Sequence, residues 1–544
     1  MLRITELALP LDHPDTALRA AIIERLQIPE ADLLDFTVFK RSYDARKKNT
    51  EIKFVYIIDL EVRNEAEILQ RFADDPHIRP APDTEYHPVA QAPAGLTERP
   101  IVIGFGPCGL FAALTLAQMG FKPIILERGK DVRQRTKDTW ALWRKKILTP
   151  ESNVQFGEGG AGLFSDGKLY SQIKDPQFFG RKVMREFVRA GAPEEILYVS
   201  KPHIGTFRLT GVVSTMREEI KALGGEVRFG SKVSDLLIDN GQIEGVVLEN
   251  GEQLQSRHVV LALGHSSRDT FRMLERQGVF LEAKPFAIGF RIEHPQSLID
   301  RARLGKYAGH PELGAADYKL VYHAKNGRAV YSFCMCPGGT VVAATSEPER
   351  VVTNGMSQYS RDERNANAGI VVGINPETDF PGGPLAGVEL QERLESVAYQ
   401  LGGQDYCAPG QLVGDFIRNQ PSTQLGEVIP SYKPGVKLGD LSTSLPAYAI
   451  EAIREALPAF GRQIRGFDRD DAVLTGIETR TSSPVRITRD TVSLQSLNVR
   501  GLYPAGEGAG YAGGILSAGV DGIKVAEAVA KAMLGLTGDE TARP

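Results

Sequence analysis

Apolar residues along the chain alternate between short β-type runs and longer helix-like stretches, a pattern typical of α/β proteins. The clearest example is an apolar strand at 101–103, a helix-like run at 110–120 and a second apolar strand at 123–126. Further strand patterns follow at 226–229, 233–238, 243–248 and 259–263. The region from residue 100 to residue 283 therefore predicts βαβ units around one sheet.

The N-terminal segment 1–75 predicts a small α+β domain of its own. Strands are expected at 2–9, 33–41 and 53–62, with helices ending at residue 26 and spanning 66–72. Residues 76–100 contain six prolines and few large apolar residues. Proline stiffens such a segment and no periodicity competes with it, so we interpret 76–99 as a linker.

Beyond residue 264 the βαβ rhythm is lost. Residues 284–475 contain β-rich patches at 286–293 and 329–345, interrupted by glycine- and proline-rich loops. The strand–helix pattern returns in residues 476–544. We interpret 284–475 as an inserted β-rich cap domain on the substrate side, and 100–283 with 476–544 as one discontinuous domain.

Three glycines after the first strand have the spacing of a dinucleotide-binding fingerprint. Gly104 permits the tight turn, Gly106 lets the backbone approach a pyrophosphate, and Gly109 lets the helix pack on the strand. The helix that follows offers unpaired N–H groups to the phosphates. Glu127 ends the second strand, where a carboxylate can accept hydrogen bonds from ribose hydroxyls.

Two more glycine-rich segments lie downstream. Residues 156–168 form a dense glycine loop in which large apolar side chains are embedded, which favours a ligand-facing loop over a flexible surface loop. Residues 498–515 combine an apolar strand, an acidic residue and paired glycines before a helix. Glycine clusters about 400 residues apart predict one extended ligand held at both ends.

Composition restricts the class of protein further. The 544 residues carry a net charge of −4, which argues against nucleic acid as an obligatory partner and leaves room for a local basic patch. Four cysteines are too few for a disulfide framework, and no segment reads as a signal peptide or a membrane span, so we expect a cytoplasmic protein. The basic segment 40–48 is either a solvated turn or a contact for phosphate or RNA.

The chain as a whole resembles the glutathione-reductase-type FAD superfamily. Its segments NVQFGEGGAGLFSDGKLYSQ, AGHPELGAADYKL, ETRTSSPVR and GLYPAGEGAGYAGGI resemble a poorly characterised bacterial family of FAD-dependent dehydrogenases with an N-terminal α/β domain. The resemblance implies a discontinuous Rossmann-like FAD-binding domain with an inserted β-rich cap and a small N-terminal α+β domain.

The same resemblance implies the residues that contact FAD. In the adenosine half, three fingerprint glycines would contact the pyrophosphate, Glu127 the ribose and Arg128 the region of the adenosine. In the flavin half, Glu507 stands where many relatives have Asp, and the helix after Gly514 would stabilise negative charge on the reduced flavin. The complete predicted set is Gly104, Gly106, Gly109, Glu127, Arg128, Gly160, Gly162, Gly264, Gly506, Glu507, Gly513 and Gly514.

FAD binding would imply hydride transfer to or from an unidentified small molecule between the cap and the isoalloxazine ring. No second fingerprint that combines a strand, spaced glycines and a helix occurs between residues 130 and 500, so NAD(P)H is a candidate only as a transient electron donor. The catalytic residues stay unknown, with Cys336, His323 and Arg291 as weak candidates. Arg480 and Arg486 would suit an anionic substrate or the pyrophosphate, and a surface salt-bridged loop is the alternative interpretation. No Cys or His pairs have metal-ligand spacing, so no metal is expected.

Two alternative functions are open at this stage. A flavoprotein could modify RNA, such as tRNA, by using the basic segment 40–48 as a docking arm. A non-catalytic flavin redox sensor could report through Cys334 and Cys336. A CxC on a strand ordinarily points both thiols to one face, and bridging them needs a strained, easily reduced disulfide. Two buried structural thiols are the other interpretation of that pair. The oligomeric state is not predicted.

Overall fold

The computed structural model describes residues 1–45 and 51–536 of the chain. Helices and strands are mixed throughout these residues, so the predicted α/β class is confirmed. Residues 46–48 of the basic segment lie outside the described residues, and the proposed RNA contact stays a prediction. No helix in the described ranges is both long enough and apolar enough to cross a bilayer.

The N-terminal unit is an antiparallel sheet with two helices. Its strand order is β2-β3-β1-β4, and its βαββαβ succession is that of a ferredoxin-like motif. The last strand lies inside the segment that the prolines predict to be a linker, so at least Ile78–Pro80 belongs to the sheet. Its edge position tolerates the missing N–H of Pro80. The elements are β1 (Leu2–Pro10), α1 (Thr16–Leu26), β2 (Leu33–Asp44), β3 (Lys53–Val62), α2 (Glu65–Arg71) and β4 (Ile78–Pro80).

Strand β2 connects this unit to the rest of the chain. The backbone N–H of Arg41 donates to the Tyr198 carbonyl at 2.6 Å, and the Ser200 N–H donates to the Arg41 carbonyl at 2.9 Å. The Arg41 guanidinium lies 3.3 Å from the Glu312 carboxylate. Arg41, one of the basic residues of segment 40–48, is therefore engaged with the body of the protein.

A second group of elements follows between residues 101 and 276. The helix after the fingerprint begins at Pro107, earlier than the apolar pattern at 110 predicts, because proline is well suited to the first position of a helix. The elements are β5 (Ile101–Ile103), α3 (Pro107–Gln118), β6 (Ile124–Leu126), α4 (Val132–Lys145), α5 (Phe179–Arg189), α6 (Thr206–Ala222), β7 (Glu226–Arg228), β8 (Val233–Asp239), β9 (Gln242–Leu248), β10 (Gln253–Gln255), β11 (Val259–Leu261) and α7 (Arg268–Arg276).

The third group, from residue 281 to residue 487, contains helices as well as the predicted strands. The predicted β patch at 329–345 is two strands separated by a turn at 337–338. The elements are β12 (Leu281–Ala283), β13 (Phe286–Pro295), α8 (Gln296–Leu304), β14 (Val321–His323), β15 (Ala329–Cys336), β16 (Gly339–Ala343), β17 (Thr353–Ser357), β18 (Asn365–Ile374), α9 (Ala386–Leu401), β19 (Ala408–Leu412), α10 (Val413–Arg418), β20 (Val436–Leu438), α11 (Ala447–Gln463), β21 (Val473–Glu478) and β22 (Val485–Ile487).

Seven strands of this third group form one sheet in the order β14-β15-β18-β13-β21-β19-β20. At its centre β13 and β18 pair antiparallel along their whole length, from Phe286 opposite Ile374 to Pro295 opposite Asn365. Both strands are buried along nearly their whole length. This sheet is the core of the inserted region and carries β15, which reaches the site described below.

The chain returns to the first sheet through β23 (Leu502–Pro504) and ends its described part shortly after α12 (Ile515–Met533). The resulting five-stranded sheet has the order β23-β11-β5-β6-β7, and every pair in it is parallel. Helices α3 and α12 pack closely on one another. A Cβ on Gly522 would lie 2.3 Å from the Cys108 carbonyl oxygen, so this contact requires glycine.

Candidate functional site

A cleft of about 380 Å³ lies at the carboxyl ends of the strands of the parallel sheet, where open α/β sheets bind their ligands. The start of α12 and the glycine loop also line it, and Cys334 and Asn354 reach it from the inserted region. Ten of the twelve predicted ligand-binding residues line this one cleft: Gly104, Gly106, Glu127, Arg128, Gly160, Gly162, Gly264, Glu507, Gly513 and Gly514.

Glycine occupies the three fingerprint positions for different physical reasons. Gly104 has a φ of +98°, and a Cβ there would lie 2.5 Å from the Ala262 carbonyl oxygen. A Cβ on Gly109 would lie 1.9 Å from the Gly104 carbonyl oxygen, so that residue packs behind the loop instead of lining the cleft. A Cβ on Gly106 would meet nothing closer than the Gly160 Cα at 3.6 Å. The protein itself therefore leaves room at Gly106.

The carboxylate of Glu127 joins three loops. Its Oε2 accepts a hydrogen bond from the Phe105 N–H at 2.9 Å. Its Oε1 accepts from the N–H groups of Gly129 at 2.8 Å and Gly157 at 2.9 Å. The residue is 4% exposed. An ionised carboxylate has about four acceptor positions, so about one remains for a further donor.

Arg128 is held in place by two carboxylates. Its guanidinium lies 2.7 Å from Glu151 and 2.8 Å from Asp269, and its central carbon lies 4.0 Å from the centre of the Phe156 ring. Burial acts to raise the pKa of Asp269, but the hydrogen bonds and charge of Arg128 outweigh burial and lower it to about 2. Arg128 therefore forms a fixed part of the cleft wall, and its positive charge is already paired with carboxylates.

The glycine loop is anchored by a buried arginine on α4. Arg135 is fully buried and donates to the carbonyl oxygens of Asn153 at 2.8 Å, Val154 at 2.7 Å and Glu158 at 2.6 Å. A Cβ on Gly157, which has a φ of +120°, would lie 2.5 Å from the Arg135 Cδ. Burial lowers the pKa of Arg135 to about 10, so it stays charged at neutral pH. The loop is consequently a fixed wall and not a flexible surface segment.

The late glycine element is fixed by a carboxylate on α12. The Gly506 N–H donates to Asp521 at 2.7 Å, and Asp521 is held by Arg489 at 2.6 Å. Gly506 packs against Cys108 and does not line the cleft. Glu507 does line it, and its Oε1 lies 3.1 Å from the His265 Nδ1.

The N-terminus of α12 faces the cleft. Gly514 is its N-cap residue with a φ of +109°, and a Cβ on Gly513 or Gly514 would meet no atom within 4 Å. The first N–H groups of a helix have no partner within the helix and carry its positive dipole end. The open space before α12 can therefore accept a negatively charged or hydrogen-bonding group.

The inserted region supplies a thiol beside a lysine from the glycine loop. The ammonium group of Lys168 donates to the Met335 carbonyl oxygen, and both Lys168 and Cys334 line the cleft. Burial acts to lower the pKa of Lys168, but electrostatic interactions with Cys334, Cys336 and Asp166 outweigh burial and raise that pKa. Lys168 is therefore a lasting positive charge at this end of the cleft.

None of the three catalytic candidates lines the cleft. Cys336 is fully buried beneath it. Arg291, also fully buried, donates to Glu478 at 2.8 Å and to the Cys334 carbonyl oxygen at 2.8 Å, so it holds the backbone behind the thiol. His323 lies exposed on the edge strand β14. Their catalytic roles stay predictions.

Arg480 belongs to a buried charged cluster that joins the inserted region to the parallel sheet. The fully buried carboxylate of Glu395 on α9 lies 2.8 Å from Arg480 and 2.7 Å from Arg268 at the start of α7. Burial acts to raise the pKa of Glu395, but the two arginines outweigh it and hold that pKa far below its usual range. Arg480 lines the cleft wall but is already paired.

Sequence reasoning did not identify Arg135, Asp521 or Lys168. The first two act on backbone groups far away in sequence, and no local pattern marks them. Lys168 is the last residue of the glycine loop 156–168, so a charged residue at the end of that loop is the sequence signal that could have identified it. In the described ranges no group of three or more His, Cys, Asp and Glu residues is placed to hold a metal ion.

Family models match two parts of the chain, and one relative matches nearly all of it. Residues 285–481 match the family described as FAD-dependent protein, C-terminal domain-like, and residues 1–61 match a domain of unknown function. A protein of Clostridium beijerinckii, described as uncharacterized, is 51% identical over 531 residues, which cover 97% of this chain and 98% of that protein.

Solved structures show a weaker likeness. The halogenase PltM shares 11% identity over 81% of this chain and 71% of its own, with a TM-score of 0.37. The glycine oxidase of Bacillus cereus shares 11% identity over 82% and 99%, with a TM-score of 0.32. Amadoriase I of Aspergillus fumigatus, a fructosyl amine:oxygen oxidoreductase, shares 12% over 83% and 90%, with a TM-score of 0.35. Likeness at this level supports no inference about this chain.

Proposed function

The chain belongs to the family of the Clostridium beijerinckii protein and carries the C-terminal domain-like region of FAD-dependent proteins, and from this premise we propose that it is an FAD-dependent oxidoreductase. FAD would occupy the cleft, and a small-molecule substrate would bind between the flavin and the inserted region. In this proposal residues 100–283 and 476–544 form one discontinuous Rossmann-like domain, and residues 284–475 form the cap.

One observation carries the proposal. Two glycine-rich loops, each leading into the N-terminus of a long helix, face the same cleft at the carboxyl edge of a parallel sheet. The start of α3 suits a pyrophosphate, because unpaired N–H groups and the positive dipole end stabilise phosphate charge. The start of α12 offers the same chemistry to the other half of an extended ligand.

The adenosine half fits the fingerprint side of the cleft. The remaining acceptor position of Glu127 would take a ribose hydroxyl, and Arg128 stacked on Phe156 would form the wall beside it. Gly106 supports this fit. The protein has room for a Cβ there, so a closely approaching ligand is the physical reason for glycine at that position.

The flavin half fits the side lined by Glu507 and the start of α12. When bound, FAD supplies the group that accepts or donates hydride. The α12 N-terminus would stabilise negative charge there, and Lys168 would hold a second positive charge on the cap side. NAD(P)H is proposed as a transient electron donor.

Absorbance spectroscopy tests the proposal directly. Purified protein, reconstituted with FAD and freed of unbound cofactor, should be yellow and contain about one FAD per chain. Anaerobic additions of NADH, NADPH and candidate organic substrates should then identify the compound that removes the colour. Folded protein that stays colourless after reconstitution would refute the assignment, with circular dichroism as the check on folding.

A further inference from the structure

Strand β15 carries two cysteines that do not sit as a regular strand would place them. Residues i and i+2 of a regular strand are about 6.6 Å apart, at the upper end of the Cα separations that a disulfide can span. In β15 the register against β18 shifts between Phe333 and Cys336. Cys334 has a φ of +42°, an uncommon conformation for a residue other than glycine. The bulge brings the Cys336 thiol back onto residue 334, where its Sγ lies within hydrogen-bonding distance of the Cys334 carbonyl oxygen.

The bulge also gives the two thiols different surroundings. Cys334 lines the cleft, whereas Cys336 is fully buried behind it and its Sγ lies 3.3 Å from the Cys334 carbonyl oxygen. Interaction with the Cys336 thiol lowers the pKa of Cys334 well below its ordinary value, and the charges of Lys168 and Arg291 add to this effect against burial. The same interaction, together with burial, raises the pKa of Cys336.

The other two cysteines of the chain are a useful contrast. Cys407 has a lysine partner too, with the Lys146 ammonium 3.1 Å from its Sγ, yet burial and Asp405 raise its pKa. Cys108 is buried against α12, and burial raises its pKa as well. Both lie in the described part of the chain, and neither combines a second thiol with two cations.

We propose that Cys334 and Cys336 are a redox-active pair that exchanges two electrons with the flavin, so that this protein stores electrons on sulfur as well as on its cofactor. The Cys334 thiolate and the Cys336 thiol form one S–S bond and release two electrons and one proton. Oxidised flavin takes up the two electrons and the proton, so atoms and charge balance. The reverse transfer regenerates the thiolate and the thiol. This proposal rests on the proposed function for its electron acceptor.

The geometry suits a partly buried nucleophile that lines the cleft and a partner thiol behind it. The thiolate faces the cleft that the proposed flavin occupies, and the resolving thiol is protected from solvent. Arg291 holds the strained backbone of Cys334 through its carbonyl oxygen. The charged or titratable groups that act on the pair from neighbouring elements are Lys168, Arg291, Tyr318, Arg361 and Glu478.

An anaerobic dithionite titration of the oxidised, FAD-loaded protein counts the stored electrons. Wild type should take up about four electrons per flavin before the flavin is fully reduced, because flavin and disulfide each hold two. Cys334→Ser and Cys336→Ser should each take up about two. Cys407→Ser, the matched control, should behave as wild type. An uptake of two electrons by the wild type would overturn the proposal.

Thiol chemistry on the flavin-free protein separates this proposal from the flavin assignment. Cys334 should react with iodoacetamide at neutral pH at least about tenfold faster than Cys407. Lys168→Met should slow that reaction, and Lys146→Met should not. Diamide should produce a disulfide peptide containing both Cys334 and Cys336, detected by mass spectrometry. A slow Cys334 or no disulfide refutes the pair even if FAD binds, whereas a positive result without FAD binding refutes only the flavin as partner.

Discussion

Replacement of Glu127 by Gln tests whether one carboxylate holds the ligand-binding loops together. The change removes the charge and leaves one acceptor oxygen for three buried N–H groups, those of Phe105, Gly129 and Gly157. The best orientation of the amide keeps the two bonds to Oε1 and turns its NH₂ group toward the Phe105 N–H. One charge-assisted bond is then lost and two are weakened.

The magnitude follows from these three bonds. A hydrogen bond to a charged group contributes about 1.5–3 kcal/mol, and a buried N–H left without a partner costs about 1–3 kcal/mol. We expect Glu127→Gln to destabilise the flavin-free protein by about 2–3 kcal/mol. Glu127→Ala leaves all three N–H groups unpaired and should cost more, at least about 3 kcal/mol. FAD affinity should fall in the same order.

Differential scanning calorimetry of the flavin-free protein measures the effect. Glu98→Gln is the control, because Glu98 is half-buried and accepts one backbone N–H, from Arg257 at 2.9 Å. This control should change stability by only about 0.5 kcal/mol. If Glu127→Gln had the same melting temperature as the control variant, the Glu127 carboxylate would not be what holds the three loops together.

Three further changes test other parts of the structure. Gly106→Ala should leave the melting temperature of the flavin-free protein unchanged and should weaken FAD binding at least about tenfold in a fluorescence titration. Gly109→Ala, by contrast, should already destabilise the flavin-free protein, because its Cβ would lie 1.9 Å from a carbonyl oxygen. Glu395→Gln should cost about 3–5 kcal/mol in urea unfolding, because two buried arginines lose their fully buried counter-charge and keep only the partly exposed Glu347. The more exposed pair of Glu392 with Arg272 is the control, and Glu392→Gln should cost under about 1 kcal/mol. Burial lowers the pKa of His294 to about 4. The contribution of neutral His294 to folding stability is therefore complete above about pH 6.5 and is lost as pH falls toward 4, by up to about 3 kcal/mol. His294→Gln should flatten the dependence of stability on pH in that window. Equal slopes in wild type and this variant would contradict the buried neutral histidine.

The local pattern was enough to predict the strand–turn–helix at the centre of the cleft. Glycine and proline mark its boundaries, and the observed β5, α3 and β6 lie within a few residues of the expected runs. Strand β4 was missed because it is short and lies between prolines. Its pairing with β1, which sets Ile78 opposite Ile4, is a tertiary contact between distant parts of the chain that no local periodicity reports.

Side-chain roles were harder to predict than element positions. An acid at residue 127 was expected to face a ligand, but its hydrogen bonds to three backbone segments arise only once the loops at 105, 129 and 157 have folded together. The CxC spacing predicted two thiols on one face. A bulge between Phe333 and Cys336 instead puts one thiol in the cleft and the other behind it. Bulges depend on the partner strand and cannot be read from β15 alone.

The order of strands in the parallel sheet has a consequence for protein synthesis. Strand β11 pairs with β5 on one side and with β23 on the other. Because the whole inserted region separates Leu261 from Leu502, β23 is synthesised much later than β11. At ribosomal rates of about 5–20 residues per second, its Val-Val-Leu edge is without its partner for roughly 12–50 s. An unpaired apolar edge invites aggregation during that interval. Nascent chains are therefore most vulnerable while the inserted region is being translated, and the cleft is completed only after that interval.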